Sequence, residues 1–136
     1  MNLLKAGKIA QSGLLAQRIR INVAATNLAN AQVTRTLEGG PYRAKNVVLR
    51  AVPFEPKNPV LKKVEVVDIK DDPTPFKEVY DPGHPDADER GIVKYPNVDV
   101  ITEMVELLSA SRAYEANLAV LSTTKSMYLR TLELLK

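Results

Sequence analysis

From residue 97 to the end of the chain, apolar side chains return every three or four positions, and neither proline nor glycine interrupts them. Val100, Met104, Leu107, Ser111, Tyr114, Leu118, Leu121, Lys125, Tyr128, Leu132 and Leu135 stand in alternating four-three steps, apolar at nine of eleven positions. A repeat averaging 3.5 residues keeps a stripe on one helix face, so this spacing predicts a long helix over about 99–135 with a heptad seam. Such a helix is roughly 55 Å long at about 1.5 Å per residue. Asn97 or Asp99 supplies its N-cap, and Glu103 and Glu106 place negative charge near the positive end of the helix dipole. Met104, Leu107, Tyr114, Leu118, Leu121, Tyr128 and Leu132 are the core or interface candidates on this arm. A second stripe of Ala110, Ala113, Val120, Met127 and Leu134, with Asn117, Thr124 and Thr131 between, points to close approach by further helices.

The N-terminal arm has a similar pattern on more than one face. Ile9, Ala16 and Val23 repeat at seven, with Ser12, Ile19 and Thr26 between them, while Leu14, Ile21 and Leu28 form another series. A helix over about 4–30 is expected, with more apolar surface than one partner helix covers. Gly7 and Gly13 weaken its start by up to about 1 kcal/mol each relative to alanine. This predicts an arm that orders fully only on assembly. Ile9, Ile19, Val23 and Leu28 are its interface or core candidates. Asn22, Asn27 and Asn30 are candidates for amide pairing between helices, which fixes register at some cost in stability.

All nine prolines fall between Pro41 and Pro96. Proline removes a donor and clashes with the preceding helical turn, so the middle cannot continue either helix. Val- and Ile-rich runs at 45–52, 61–69, 76–80 and 91–95, bounded by Pro, Gly and Asp, read as short strands of one small sheet. The expected fold class is α+β: two long terminal helices pair as a coiled-coil-like core domain, with a small proline-rich β domain inserted between them. The divisions are 1–34, 35–97 with a turn-rich loop at 80–91, and 98–136.

Charge changes this picture little. The net charge is +3, and its excess is a mildly basic start: residues 1–34 carry four basic side chains and no acid. The basic residues are spread out and lack stacking aromatics, which argues against a nucleic-acid partner. No cysteine is present, so disulfides, thiolate metal sites and cysteine nucleophiles are excluded. The longest uncharged run, Ile21–Thr34, is too short and too rich in amides to span a bilayer, and no cleaved secretory signal is expected.

The only concentration of candidate chemistry is "YDPGHPDADERG", residues 80–91. Asp86-x-Asp88-x-x-Gly91 matches the start of a calcium loop, but Arg90 puts a cation among the ligands and Asn97 stands where a bidentate Glu is needed. His84 with its carboxylates lacks a nucleophile and an oxyanion hole for catalysis. Asp81-Pro82-Gly83 is turn chemistry, so an ordered polar connection leading into the C-terminal helix is the reading of this loop. No cofactor, metal or small-molecule substrate is expected. A metal-dependent enzyme using His84 is the remote alternative.

Two segments carry a resemblance. "SGLLAQRIRINVAATNLANAQVT", residues 12–34, resembles the N-terminal motif of bacterial flagellar axial proteins. The run DPGHPDAD at 81–88, PNV at 96–98 and then SASRAY at 109–114 resembles the C-terminal half of the rod subunits, and "GPYRAKNVVL" at 40–49 does too. The resemblance implies a non-enzymatic structural subunit of the basal-body rod. Its partners would be other copies of itself and neighbouring rod proteins. It would leave the cytoplasm through the flagellar type III export apparatus, without signal cleavage, and act within the rod that spans the periplasm. Another axial subunit is the nearer alternative.

Overall fold

The computed structural model describes residues 2–136. Helix α1 spans Leu3–Ala29, strands β1 and β2 span Lys45–Glu55 and Asn58–Asp71, β3 and β4 span Lys77–Tyr80 and Ile92–Tyr95, and α2 spans Val100–Leu134. The class is α+β. Both helices start on side-chain caps. Asn2 Oδ1 accepts from the Lys5 amide at 2.9 Å, and Asp99 Oδ1 accepts from Ile101 and Thr102 at 3.0 and 3.2 Å. Asp99, not Asn97, caps α2, because Asn97 is used elsewhere. No helix among the described residues is long and apolar enough to cross a membrane.

The helices pack antiparallel. A Cβ added at Gly7 would meet Leu121 and Thr124, and one at Gly13 would meet Asn117. Arg20 pairs with Glu106 at 2.7 Å, and Asn27 meets Glu103 at 3.0 Å. As the α1 number rises, its partner's falls.

The strands form two separate two-stranded antiparallel sheets, β1–β2 and β3–β4, where one sheet was expected. The β1–β2 hairpin lies along α1. Its open end starts beside Asn27, which accepts from the Lys45 amide at 3.0 Å. Halfway along, the Val64 amide donates to Ser12 Oγ at 3.2 Å, and near the tip Glu55 pairs with Lys5 at 2.8 Å. The lengths agree: Lys45 to Glu55 in a strand and Asn27 back to Lys5 in a helix both span about 33 Å. The hairpin thus packs on a second face of α1, by side chains and by the Lys45 and Val64 amides.

The buried core is thin. It comprises Ala10, Ala16, Ala24, Ala44, Val93, Val98 and Ala110, with Asn27 the single buried polar side chain among the described residues. Five of these seven are alanines, so the elements approach closely but remove little apolar area from water. Little stability is therefore expected from the isolated chain.

Candidate functional site

The most constrained point of the molecule is Asn27, whose exposure is 0%. Its amide nitrogen donates to the Lys45 carbonyl at 2.9 Å and to Glu103 Oε1 at 3.0 Å. Its oxygen accepts from Tyr42 Oη at 2.9 Å and from the Lys45 amide at 3.0 Å. Both donors and both lone pairs are thus used, joining the end of α1, the start of β1 and the first turn of α2. A buried amide left unpaired would be costly; satisfied in this way it fixes one arrangement. Within the chain, the expected amide–amide pairing between helices does not form. Asn27 partners backbone, phenol and carboxylate. Asn30 caps α1 by donating to the Thr26 carbonyl at 2.9 Å, and Asn22 is exposed.

Asn97 builds a second clasp. Its oxygen accepts from the Ala44 amide at 2.8 Å, and its nitrogen donates to the Asp72 and Thr74 carbonyls at 3.2 and 3.0 Å. Arg43 donates to the same two carbonyls at 2.7 and 2.9 Å, while its guanidinium lies 4.2 Å over the Phe76 ring. Lys77 Nζ reaches the Val98 carbonyl at 2.7 Å. All the crossings between helices and strands are therefore tied within one junction.

Two carboxyls at this junction shift in opposite directions. Burial holds Glu103 above its ordinary value, with the Asn27 amide only partly opposing it. The Thr74 amide holds Asp72 below its ordinary value. Burial also raises the Tyr42 phenol, so it stays a donor to Asn27.

Along the helix pair, the seam differs from the expected one. The inward stripe of α2 runs Glu103, Leu107, Ala110, Tyr114, Asn117, Leu121, Thr124. It keeps Leu107, Tyr114 and Leu121, which are half-buried, but Ala110 is its one buried residue. Met104, Leu118 and Leu132 turn outward, and Tyr128 is also exposed. On α1, Ala10, Gly13, Ala16, Ala24 and Asn27 are buried, whereas Ile9, Ile19, Val23 and Leu28 are only half-buried. Met104, Leu118 and Leu132 therefore lie outside the chain's own core, which leaves them as candidates for an interface. The reason is steric: α1 offers small residues, so the helices come close, and only the small Ala110 is fully enclosed while Leu107, Tyr114 and Leu121 stay at the edge of the seam. A Cβ at Gly13 would lie 2.6 Å from Asn117 Oδ1, while one at Gly7 would sit 3.6 Å from Leu121 Cδ1, an ordinary contact.

The large apolar residues excluded from the seam form a long uncovered surface on α2. It includes Met104, Val105, Leu108, Leu118, Val120, Met127, Leu129 and Leu132. From Lys125 onward every residue is exposed.

The 80–91 loop is a structured turn that closes β3 onto β4; β4 and Pro96–Asp99 then lead into α2. Asp88 Oδ1 accepts from the Arg90 and Ile92 amides at 2.8 and 2.9 Å. Asp86 accepts from Thr34 Oγ1 at 2.8 Å and pairs with Arg35, so the loop is tied to the segment after α1. His84 Nδ1 accepts from the Asp86 amide at 3.0 Å. Gly91 has φ +77°, and a Cβ there would press on Pro82 and Tyr80 at 3.0 Å. Among the described residues, no three His, Asp or Glu side chains converge as a metal-ligand set.

Sequence reasoning missed Asn97 and Tyr42. A polar side chain just ahead of a helix reads as a cap, and a tyrosine between a glycine-proline pair and a strand reads as loop. Their shared signal is position, since both flank element ends where backbone groups need partners.

These elements make a helix-pair subunit with a thin core, a tied junction and a long unpartnered apolar face. Comparison with known proteins gives the class the same outline at both ends of the chain. Residues 8–35 match the family model described as flagella basal body rod protein, and residues 89–134 match that of the flagellar basal body rod FlgEFG protein C-terminal region. The chain is 51% identical over 136 residues to the flagellar basal-body rod protein FlgC of Escherichia coli O6:H1, covering 98% of both. It is 40% identical to that of Borreliella burgdorferi, covering 100% of this chain and 99% of the relative, and 42% identical to that of Aquifex aeolicus, covering 98% and 97%. The chain belongs to the FlgC family of flagellar basal-body rod proteins.

Proposed function

We propose that the chain is a structural subunit of the proximal rod, located in the basal body. Many copies of the helix pair pack around an axis as coiled-coil-like core domains, forming the hollow shaft that carries motor torque across the periplasm and lines the export channel. The segments 1–34 and 98–136 act as this axial core, and 35–97 as the inserted domain. The observation that carries the reading is the uncovered apolar face of α2, including Met104, Leu118 and Leu132, on a chain of this family. Apolar area of that extent on one helix has no partner within the chain, and burying it against neighbours gives a shaft its stiffness.

Partners in this reading are further copies and neighbouring rod proteins. The type III export apparatus is a transient partner, passing the subunit without cleavage and with its arms incompletely ordered. Catalysis, cofactors and nucleic acid have no part in the role. The test is deletion of the gene with complementation, imaging basal bodies by electron microscopy. Inner rings without a rod, restored by the intact gene, are expected. Normal flagella after deletion would remove the proposal.

A further inference from the structure

The loop between α1 and β1 ends in an apolar side chain with nothing around it. Leu37 is the most exposed large hydrophobic residue described. It is not on a floppy tip. The Thr36 amide donates to the Gly40 carbonyl at 2.8 Å, the Gly39 amide to the Thr36 carbonyl at 3.0 Å, and the Tyr42 amide to the Val33 carbonyl at 3.0 Å. Gly39 and Gly40 take φ of +87° and +76°, which makes the reversal tight. The result is a braced knob with Glu38 beside it.

At the opposite end of the helix pair lies an apolar cleft of about 290 Å³ between the start of α1 and the last turns of α2, lined by Leu3, Leu4, Gly7, Leu121, Thr124 and Tyr128. Lys8 and Lys125 line it as well. Neither lysine, nor Glu38, makes an ion pair among the described residues. Knob and cleft are thus complementary twice, in apolar character and in charge.

They cannot meet within one molecule. Gly7 and Asn27 are roughly 30 Å apart along α1, and Tyr42 is bonded to Asn27. The excursion from Val33 to Leu37 extends at most about 14 Å. The cleft must therefore be filled by another molecule.

Building on the rod-subunit reading, we propose that Leu37 of one copy inserts into the cleft of a second copy, with Glu38 meeting Lys8 and Lys125. Knob and cleft are different patches at opposite ends, so the contact is head-to-tail. Repeated from copy to copy, such a contact joins many subunits, as a ring where the rotation closes and as an open helical array where it does not.

The absence of cysteine makes this directly testable. Glu38→Cys with Lys125→Cys leaves the knob itself intact. The variant chain is expressed in place of the natural one, and isolated basal bodies are oxidised and run without reducing agent. A ladder at multiples of this chain's mass is expected, absent from either single variant and from a Glu38→Cys, Arg112→Cys control. Rods that contain the chain but give no ladder, or a ladder equal to the control, overturn the contact and leave the rod-subunit reading standing. A crosslink to a different rod protein also overturns it, by giving the cleft another occupant. Basal bodies lacking the chain in the unsubstituted parent strain would instead defeat the rod-subunit reading itself. If the double variant blocks rod formation, charge exchange decides: Glu38→Lys should lower rod yield at least tenfold, and adding Lys8→Glu and Lys125→Glu should restore it. No restoration overturns the contact.

Discussion

The two ends of the helix pair are built by opposite rules. At the junction end, Asn27, Tyr42, Glu103 and Asn97 satisfy one another and the backbone around a few small buried apolar side chains, Ala44 and Val98 among them. At the other end, α2 runs on past Leu3 with every side chain from Lys125 exposed and no hydrogen-bonded clasp. Directional bonds define a single geometry but add little area; apolar surface adds area but tolerates many geometries. The helix pair thus carries a fixed geometry at one end and an uncovered apolar surface at the other.

The comparison breaks most directly at Asn27. Asn27→Ala leaves the Lys45 amide and carbonyl, the Tyr42 hydroxyl and Glu103 without their partner. Each of these part-buried bonds is worth about 0.5–1.5 kcal/mol net, so a loss of about 3 kcal/mol is expected in urea unfolding of the full chain. A loss below about 1 kcal/mol would show that water replaces the clasp.

Next comes the close approach in the middle of the pair. Gly13→Ala gains about 1 kcal/mol of helix propensity but pushes Asn117 from its bond to the Ala113 carbonyl, and a net loss of about 1–2 kcal/mol is expected. Combining it with Asn117→Ala should recover most of that loss. Independent, additive effects of the two changes would mean that the contact is not what sets the helix spacing.

Toward the open end the sign reverses. Gly7→Ala finds only ordinary contacts with Leu121 and Thr124, so the same substitution six residues earlier should stabilise by up to about 1 kcal/mol. Leu118→Glu, on the uncovered face, should change unfolding by no more than about 0.5 kcal/mol while abolishing rod assembly in cells. A large loss of monomer stability would place Leu118 in the chain's own core.

The smallest effect is electrostatic. With its folded value raised, Glu103 contributes most below the unfolded carboxylate range and loses that contribution as pH rises through the folded value. Glu103→Gln still accepts from Asn27 without a buried charge. Its urea midpoint should lie slightly above the parent's at pH 7, with the gap narrowing by pH 4. A gap independent of pH would mean that the carboxylate is relieved by other means.

The sequence by itself determined the periodic elements. Alternating four-three spacing, proline confined to the middle, and Asp99 ahead of Val100 fixed both helices to within a residue or two and located the four strands, because these are consequences of local geometry and backbone chemistry. It also marked the 80–91 turn, whose Asp-Pro-Gly and Gly91 act over a few bonds. Only the tertiary structure decided which stripe faces inward. Hydrophobicity ranks Met104 and Leu118 above Ala110 and Asn117, yet the close approach at Gly13, Ala10 and Ala24 puts the smaller pair inward there and leaves the larger pair exposed. The same holds for Asn27, Tyr42 and Asn97, whose partners lie up to 76 positions away. A pattern along the chain records which residues share a face, but the fit between faces depends on the separation of two surfaces, and that distance exists only once the chain has folded.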